Sequence, residues 1–201
     1  CNFLSKGIGY PKDFKPEIRT EIQCIALSKS QVEGACISEF NNQKSCKFTS
    51  KQDCMKLTGS SNSFYEGMLC SNPQLETGCE KQVATGCVQG KDEVYWIDSC
   101  GNRENIYASD KETSWNNGKI LLKQQSCNPN SDNANSVSCG NCDVSRGSKC
   151  SVASSQTGST NNGDFTCKSL NCVDSNGKTR KNGESWCAYD GYIGDGKDVV
   201  G

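Results

Sequence analysis

The chain contains no histidine. That absence removes Ser-His-Asp and Cys-His nucleophilic sites, HExxH metalloproteases and every zinc site that uses imidazole. Large apolar groups are scarce as well. Leu, Ile, Val and Phe together number 33 of 201 residues, about 16%, where a well-cored globular chain usually exceeds ~20%. No run approaches the ~20 apolar residues that cross a bilayer, so no membrane span is expected. None of the 19 Asn opens an Asn-x-Ser/Thr sequon, which removes ordinary N-glycosylation as a role for the loops. Neither sign of charge is in excess: 22 Lys plus Arg face 23 Asp plus Glu, giving a net charge of -1. A balanced, interspersed charge gives no reason to expect nucleic acid as a partner.

What stands in for the thin core is cysteine, 16 residues or about 8% of the chain. Cross-linking the unfolded ensemble stabilises a chain that buries little apolar area, and each well-placed bridge contributes ~2–4 kcal/mol. The even number suits full pairing into about eight disulfides. Bridges in that number need an oxidising compartment, so an extracellular or cell-surface location is expected. The one standing exception, intracellular proteins of hyperthermophiles, is argued against by heat-labile Asn, including Asn-Gly pairs at 117, 162, 176 and 182. No signal peptide is visible, and residue 1 is expected to follow a processing site or an artificial boundary. Lipidation of Cys1 is disfavoured, because it would leave an odd number of cysteines to pair.

The densest apolar run is Val94-Tyr95-Trp96-Ile97, preceded by a Gly90-Lys91-Asp92 turn signal and bracketed by Cys87 and Cys100. As a strand it points Val94 and Trp96 one way and Tyr95 and Ile97 the other, which suits burial on both faces. Trp96 and Tyr95 are therefore the expected structural anchors. Upstream, Glu21 to Phe40 reads as a hairpin with its turn over Ser28–Gly34, which sets Cys24 opposite Cys36 at a separation a disulfide tolerates. Thr49 to Gly59 reads as a helix: Thr49 with Gln52 forms a capping box, Gly59 is the stop, and Cys54 and Leu57 share a face. Trp115 to Gln125 is a weaker helix candidate. Residues 128–138 and 151–164 are polar, low-complexity loops whose ends cysteines can tether. Asn176-Gly177, flanked by Val173, Thr179 and Arg180, is a hairpin turn signal. That register puts Cys187 opposite Cys167. A competing turn at Asn182-Gly183 would shift the register.

Candidate chemistry is thin. Cys139-Gly140-Asn141-Cys142 has the spacing of a redox or zinc pair, but no second CxxC accompanies it and no βαβ context surrounds it. Asp92, Glu93, Asp98 and Glu104 lie close enough in sequence to supply a carboxylate pair. Asp190, Asp195 and Asp198 sit in a Gly-rich tail without the register of a calcium loop. No catalytic, metal or cofactor residue is assigned on these grounds. Trp96, Trp115 and Trp186 with the six tyrosines are more often core than binding surface in a chain short of apolar area.

The runs CGNC, TCKSLNCVDSNGKTRKNGESWCAYDGYIGDGKDVVG and CVQGKDEVYWIDSCGN resemble segments of large, cysteine-rich secreted or surface proteins of small-genome archaea. The resemblance spans about residues 65–201 and implies a surface location, no established activity, and a chain continuing beyond 201. CVDSNGKTRKNGESWC is similar to hairpins of von Willebrand type C and fibronectin type I modules, but their dense terminal cysteine pattern is missing and no role is carried over.

The expectation is a mainly β chain of small disulfide-rich modules with hairpins, short helices and long loops. The modules are an N-terminal one over 1–82, a central hairpin module over 83–138 and a C-terminal one over 139–201. Cys87 to Cys100 and Cys172 to Cys187 look like related cysteine-bracketed hairpins, with Cys24 to Cys36 a looser copy. The leading function is a non-enzymatic extracellular structural or interaction protein with a protein or cell-surface partner, self-assembly included. A carbohydrate- or ligand-binding module is the alternative, and a carboxylate-dependent hydrolase the remote one.

Overall fold

Short strands separated by polar turns build small sheets, because no segment is long or apolar enough for more. The computed structural model describes residues 32–154 and 163–186. Their order is β1 (Glu33–Phe40), β2 (Gln43–Ser50), α1 (Lys51–Thr58), β3 (Phe64–Glu66), β4 (Ala84–Cys87), β5 (Val94–Ile97), β6 (Arg103–Ile106), α2 (Lys111–Trp115), β7 (Ser148–Val152), β8 (Phe165–Ser169), β9 (Cys172–Val173) and β10 (Thr179–Arg180). All pairings are antiparallel, in sheets β2-β1-β3, β4-β5-β6, β7-β8 and β9-β10. The protein is mainly β, with two short helices and six disulfides among the described residues.

The first hairpin differs from the sequence expectation. β1 turns back at Asn41-Asn42, both in the left-handed region at φ 50° and 60°, as a two-residue hairpin turn requires and Asn tolerates. β2 then takes one edge of β1 along its whole length, and β3 takes the other edge at Gly34–Cys36. Gly34 is obligatory there, since a Cβ would lie 2.3 Å from the Tyr65 carbonyl oxygen. With both edges of Cys36 occupied, an upstream strand cannot pair beside it. Cys36 is bonded to Cys54 of α1, not to Cys24, which lies with residues 21–31 outside the described residues.

Helix α1 starts one residue later than its sequence signal. Ser50 is the cap, its hydroxyl accepting from the Asp53 amide, and Gly59 ends the helix at φ 70°. Cys54 is buried, whereas Leu57 is 60% exposed, so the two do not share a packed face. The second helix is earlier than expected. It occupies Lys111–Trp115 with Asp110 as cap, and left-handed Asn116, Asn117 and Gly118 stop it before Ile120. The hairpin signal at Asn176-Gly177 is borne out: Val173 pairs with Thr179 and Cys172 with Arg180.

β5 is the middle strand of its sheet, and the chain crosses its end a second time at Cys139–Cys142. Val94 N–H donates to the Gly140 carbonyl, Tyr107 N–H to Val94 and Gly140 N–H to Tyr107. Gly140 permits this approach, since a Cβ would lie 2.7 Å from that of Val94. The central core is Val94, Trp96, Tyr107, Cys142 and Cys167, with Cys150 and Phe165 against it. A second core of Ala35, Cys70, Leu75 and Cys79 lies under the first sheet with Ile37, Cys46, Phe48 and Met68.

Cys167 is bonded to Cys142 and faces Cys150 across the β7–β8 ladder. The expected Cys167–Cys187 bridge is thereby excluded: β8 pairs with β7 rather than with the chain after Gly183, and Cys187 itself lies outside the described residues. The cysteines that bracket β5 do not close on each other either, since Cys79 bonds Cys100 and Cys87 bonds Cys150. These two bridges cross the sequence positions 82/83 and 138/139. Cys46–Cys70 and Cys127–Cys139 complete the six. Exposed Cys172 carries no bridge, a departure from full pairing.

Cys87–Cys150 spans 63 residues and Cys127–Cys139 spans 12. Loop-closure entropy makes the first worth about 4 kcal/mol and the second about 3. In urea unfolding, the double Ala variant of the long-range pair should lose more stability than that of the short-range pair. Equal losses would show that chain entropy is not what these bridges contribute.

Candidate functional site

Glu93, Tyr95, Asp98, Asn102 and Glu104 sit on or beside the β5–β6 hairpin and are all buried. Such a concentration of polar groups needs partners, because an unpaired buried polar group costs ~1–3 kcal/mol. Each finds them within the protein. Glu93, just before β5, is ion-paired with Lys123 at 2.6 Å and accepts from the Tyr95 hydroxyl at 2.9 Å. Burial alone would push the Glu93 carboxyl up, but the Lys123 hydrogen bond and charge outweigh it and hold Glu93 below its ordinary value. Burial, followed by the charge of Glu93, drives the Tyr95 phenol far upward, so it remains a donor.

Asp98 holds the turn into β6. Its Oδ1 accepts from the amides of Cys100 and Asn102, at 2.9 and 2.7 Å, and its Oδ2 from Asn102 Nδ2 at 3.0 Å. The oriented Asn102 amide then reaches β2, accepting from Phe48 N–H at 2.9 Å and donating to the Cys46 carbonyl at 3.3 Å. Next to it Arg103 pairs with Glu33 at 2.6 Å and lies between the rings of Phe48 and Tyr95, 4.8 and 4.9 Å from their centroids. Asn102 and Arg103 thus join the first sheet to the second.

Glu104 is 2% exposed and accepts from the Ser71 hydroxyl and, at 2.7 Å, from the Gln82 amide. Ser71 in turn accepts from Trp115 Nε1 at 3.0 Å. Burial raises the Glu104 carboxyl above its ordinary value. Beside it, the Ser114 hydroxyl accepts from both Trp96 Nε1 and Gln82 Nε2, at 3.1 and 2.9 Å.

The sequence candidates for chemistry are dispersed by this arrangement. Glu93, Asp98 and Glu104 serve three different networks, each committed to protein donors. Asp92 binds the Val144 amide and the β7 backbone at Cys150. The two sulfurs of CGNC go to different bridges, Cys139 to Cys127 and Cys142 to Cys167, so the motif supplies neither a dithiol nor a thiolate pair. No group of three or more Cys, Asp or Glu suited to a metal ion occurs among the described residues. Asp190, Asp195 and Asp198 lie outside them. Trp96 is 1% exposed and stacks at 4.9 Å on Tyr107, a core position. Trp115 is half-buried under Lys81, and Trp186, 42% exposed, packs on Arg180.

Asn102, Arg103, Ser71 and Lys123 were not singled out by sequence reasoning. Only the turn signal Gly101-Asn102 after the β5 run pointed near any of them. Compared with protein-family models, curated proteins and solved structures, the chain matches none. The resemblances noted above rest on the quoted runs alone.

The ion pair at Glu93 sets an acid limit. A carboxyl held below its unfolded value contributes stability that is complete above about pH 4.3 and is lost as pH falls through the folded value. Lys123→Met strands a buried carboxylate and should cost about 3 kcal/mol at pH 7, with the deficit shrinking below pH 4. Chemical unfolding of both proteins at pH 3 and 7 checks this. A deficit unchanged between the two pH values would mean the pair contributes packing only.

Proposed function

We propose that the protein is a non-enzymatic extracellular structural or interaction protein: an adhesin, envelope component or appendage subunit. The observation that carries this reading is the fate of its reactive groups. The carboxylates that a hydrolase would present to a substrate are buried and spent on holding strands and turns together. The twelve bridged cysteines are cystines spread through the described chain. Six such bridges are the mark of a chain that folds in an oxidising compartment. No helix among the described residues is long and apolar enough to cross a membrane.

What this scaffold offers outward is a set of loops and single exposed apolar side chains. Phe40, the most exposed at 77%, stands at the tip of the β1–β2 hairpin. The described exposed aromatics, Phe40, Tyr65 and Trp186, do not line up as a sugar platform. Tyr65 is level with Ala35, five residues or roughly 17 Å along β1 from Phe40 and facing the other way. A protein or cell-surface partner, a second copy included, suits separated anchors better than a glycan does.

Surface shaving of intact source cells with protease should release peptides of this chain. The purified protein should show no hydrolysis of polysaccharide, peptidoglycan or peptide substrates above that of a Glu93→Gln or Glu104→Gln variant. Turnover that disappears in either variant, while circular dichroism and the disulfide map stay as in wild type, would overturn the non-enzymatic reading. A glycan retained at micromolar affinity and lost in Trp186→Ala would replace it with the carbohydrate-binding alternative.

A further inference from the structure

Glu104 differs from its neighbours in one respect. Glu93 has Lys123, and Asp143 has Lys123 and Arg146, but among the described residues Glu104 has no cation in contact. Its donors are neutral: the Ser71 hydroxyl and the Gln82 amide. The charged groups around it do not change this. Lys81, which precedes Gln82, spends its ammonium on Glu112 at 2.7 Å and on the face of Trp115 at 3.9 Å. Lys111 of α2 turns to the Gln82 carbonyl and to the ring of Trp96. Asp98, at the end of β5, adds a like charge that opposes ionisation of Glu104.

Position gives the group leverage. Glu104 lies in β6, Ser71 follows the Cys46-bonded Cys70, and Gln82 leads into β4. One carboxyl therefore joins the 71–82 segment at both of its ends to the central sheet, while Trp115 adds α2 through Ser71. The same cluster holds a buried oxygen without a donor, Oε1 of Gln82. A protonated carboxyl would bring to the cluster the donor that it lacks.

We propose that Glu104 is a proton-operated latch: uptake of one proton by its buried carboxyl tightens the junction between the 71–82 segment and the central sheet. The latch makes the protein firmer in mildly acidic surroundings than in neutral ones. The direction follows from linkage. A carboxyl whose folded value lies above its unfolded value destabilises the fold where it is ionised. That deficit is recovered as pH falls from above the folded value to about 4.3, with no further gain below. The acid limit set by Glu93 begins only at lower pH, so stability should peak between the two transitions.

The test is thermal unfolding of wild type and Glu104→Gln between pH 7.5 and 5. Other titrating groups are common to both proteins, so their difference isolates Glu104. Wild type should gain about 2–4 °C on the variant over this range. Parallel curves would overturn the latch. The amide resonance of Gln82 in wild type gives an independent reading that needs no variant, since its N–H donates to the titrating oxygen. A titration midpoint above about 4.3 supports the proposal. A midpoint at or below that value, or no titration, overturns it whether or not Glu104→Gln folds.

Discussion

The contact on which this structure depends is the stack of Trp96 on Tyr107, closed over by the Cys142–Cys167 bridge. A chain with so few large apolar groups cannot build a continuous core. It concentrates the ones it has on β5 and β6 and completes the layer with cystine sulfur. Sulfur contributes twice in that position. It fills volume as a small hydrophobe and limits the unfolded ensemble as a cross-link. The second core repeats the arrangement on a smaller scale, with Cys46–Cys70 against Ala35, Leu75 and Phe48.

Polar groups do the remaining work of joining the layers. The β5–β6 turn is built around Asp98, which fixes the Asn102 amide. That amide and the adjacent Arg103 carry the attachment to the first sheet. Buried hydrogen-bonded networks are costly when half-satisfied and specific when complete, which explains why acidic and amide residues are packed so densely around one short hairpin. It also explains why a cluster of carboxylates that invites a catalytic reading in sequence is structural here.

How much of this was legible in the sequence depends on the range of each signal. The β5 strand was legible because four consecutive large side chains leave little choice of conformation. The Asn176-Gly177 turn was legible because its preference is local, and the stop at Gly59 for the same reason. Disulfide pairing was not. Cys24–Cys36 and Cys167–Cys187 were inferred from hairpin registers, whereas Cys36 and Cys167 are in fact bonded to partners outside their own ladders. Asn41-Asn42 carried the true turn, but the Ser- and Gly-containing stretch over 28–34 looked like the stronger break. At the candidate site, burial of Glu93 and Glu104 was invisible because it arises from partners 30 residues away in Lys123 and 33 in Ser71, distances over which no spacing rule operates.

The Asn102 amide has a consequence for how copies of this protein can meet. β2 is an edge strand of eight residues, long enough to template another chain. Asn102 occupies the Cys46 carbonyl and the Phe48 amide on its outward side, as a neighbouring strand would. A side chain thus impersonates one rung of a ladder and interrupts the row that an incoming strand would need. Fibril-like growth along this edge is blocked at its midpoint, without a proline or a bulge.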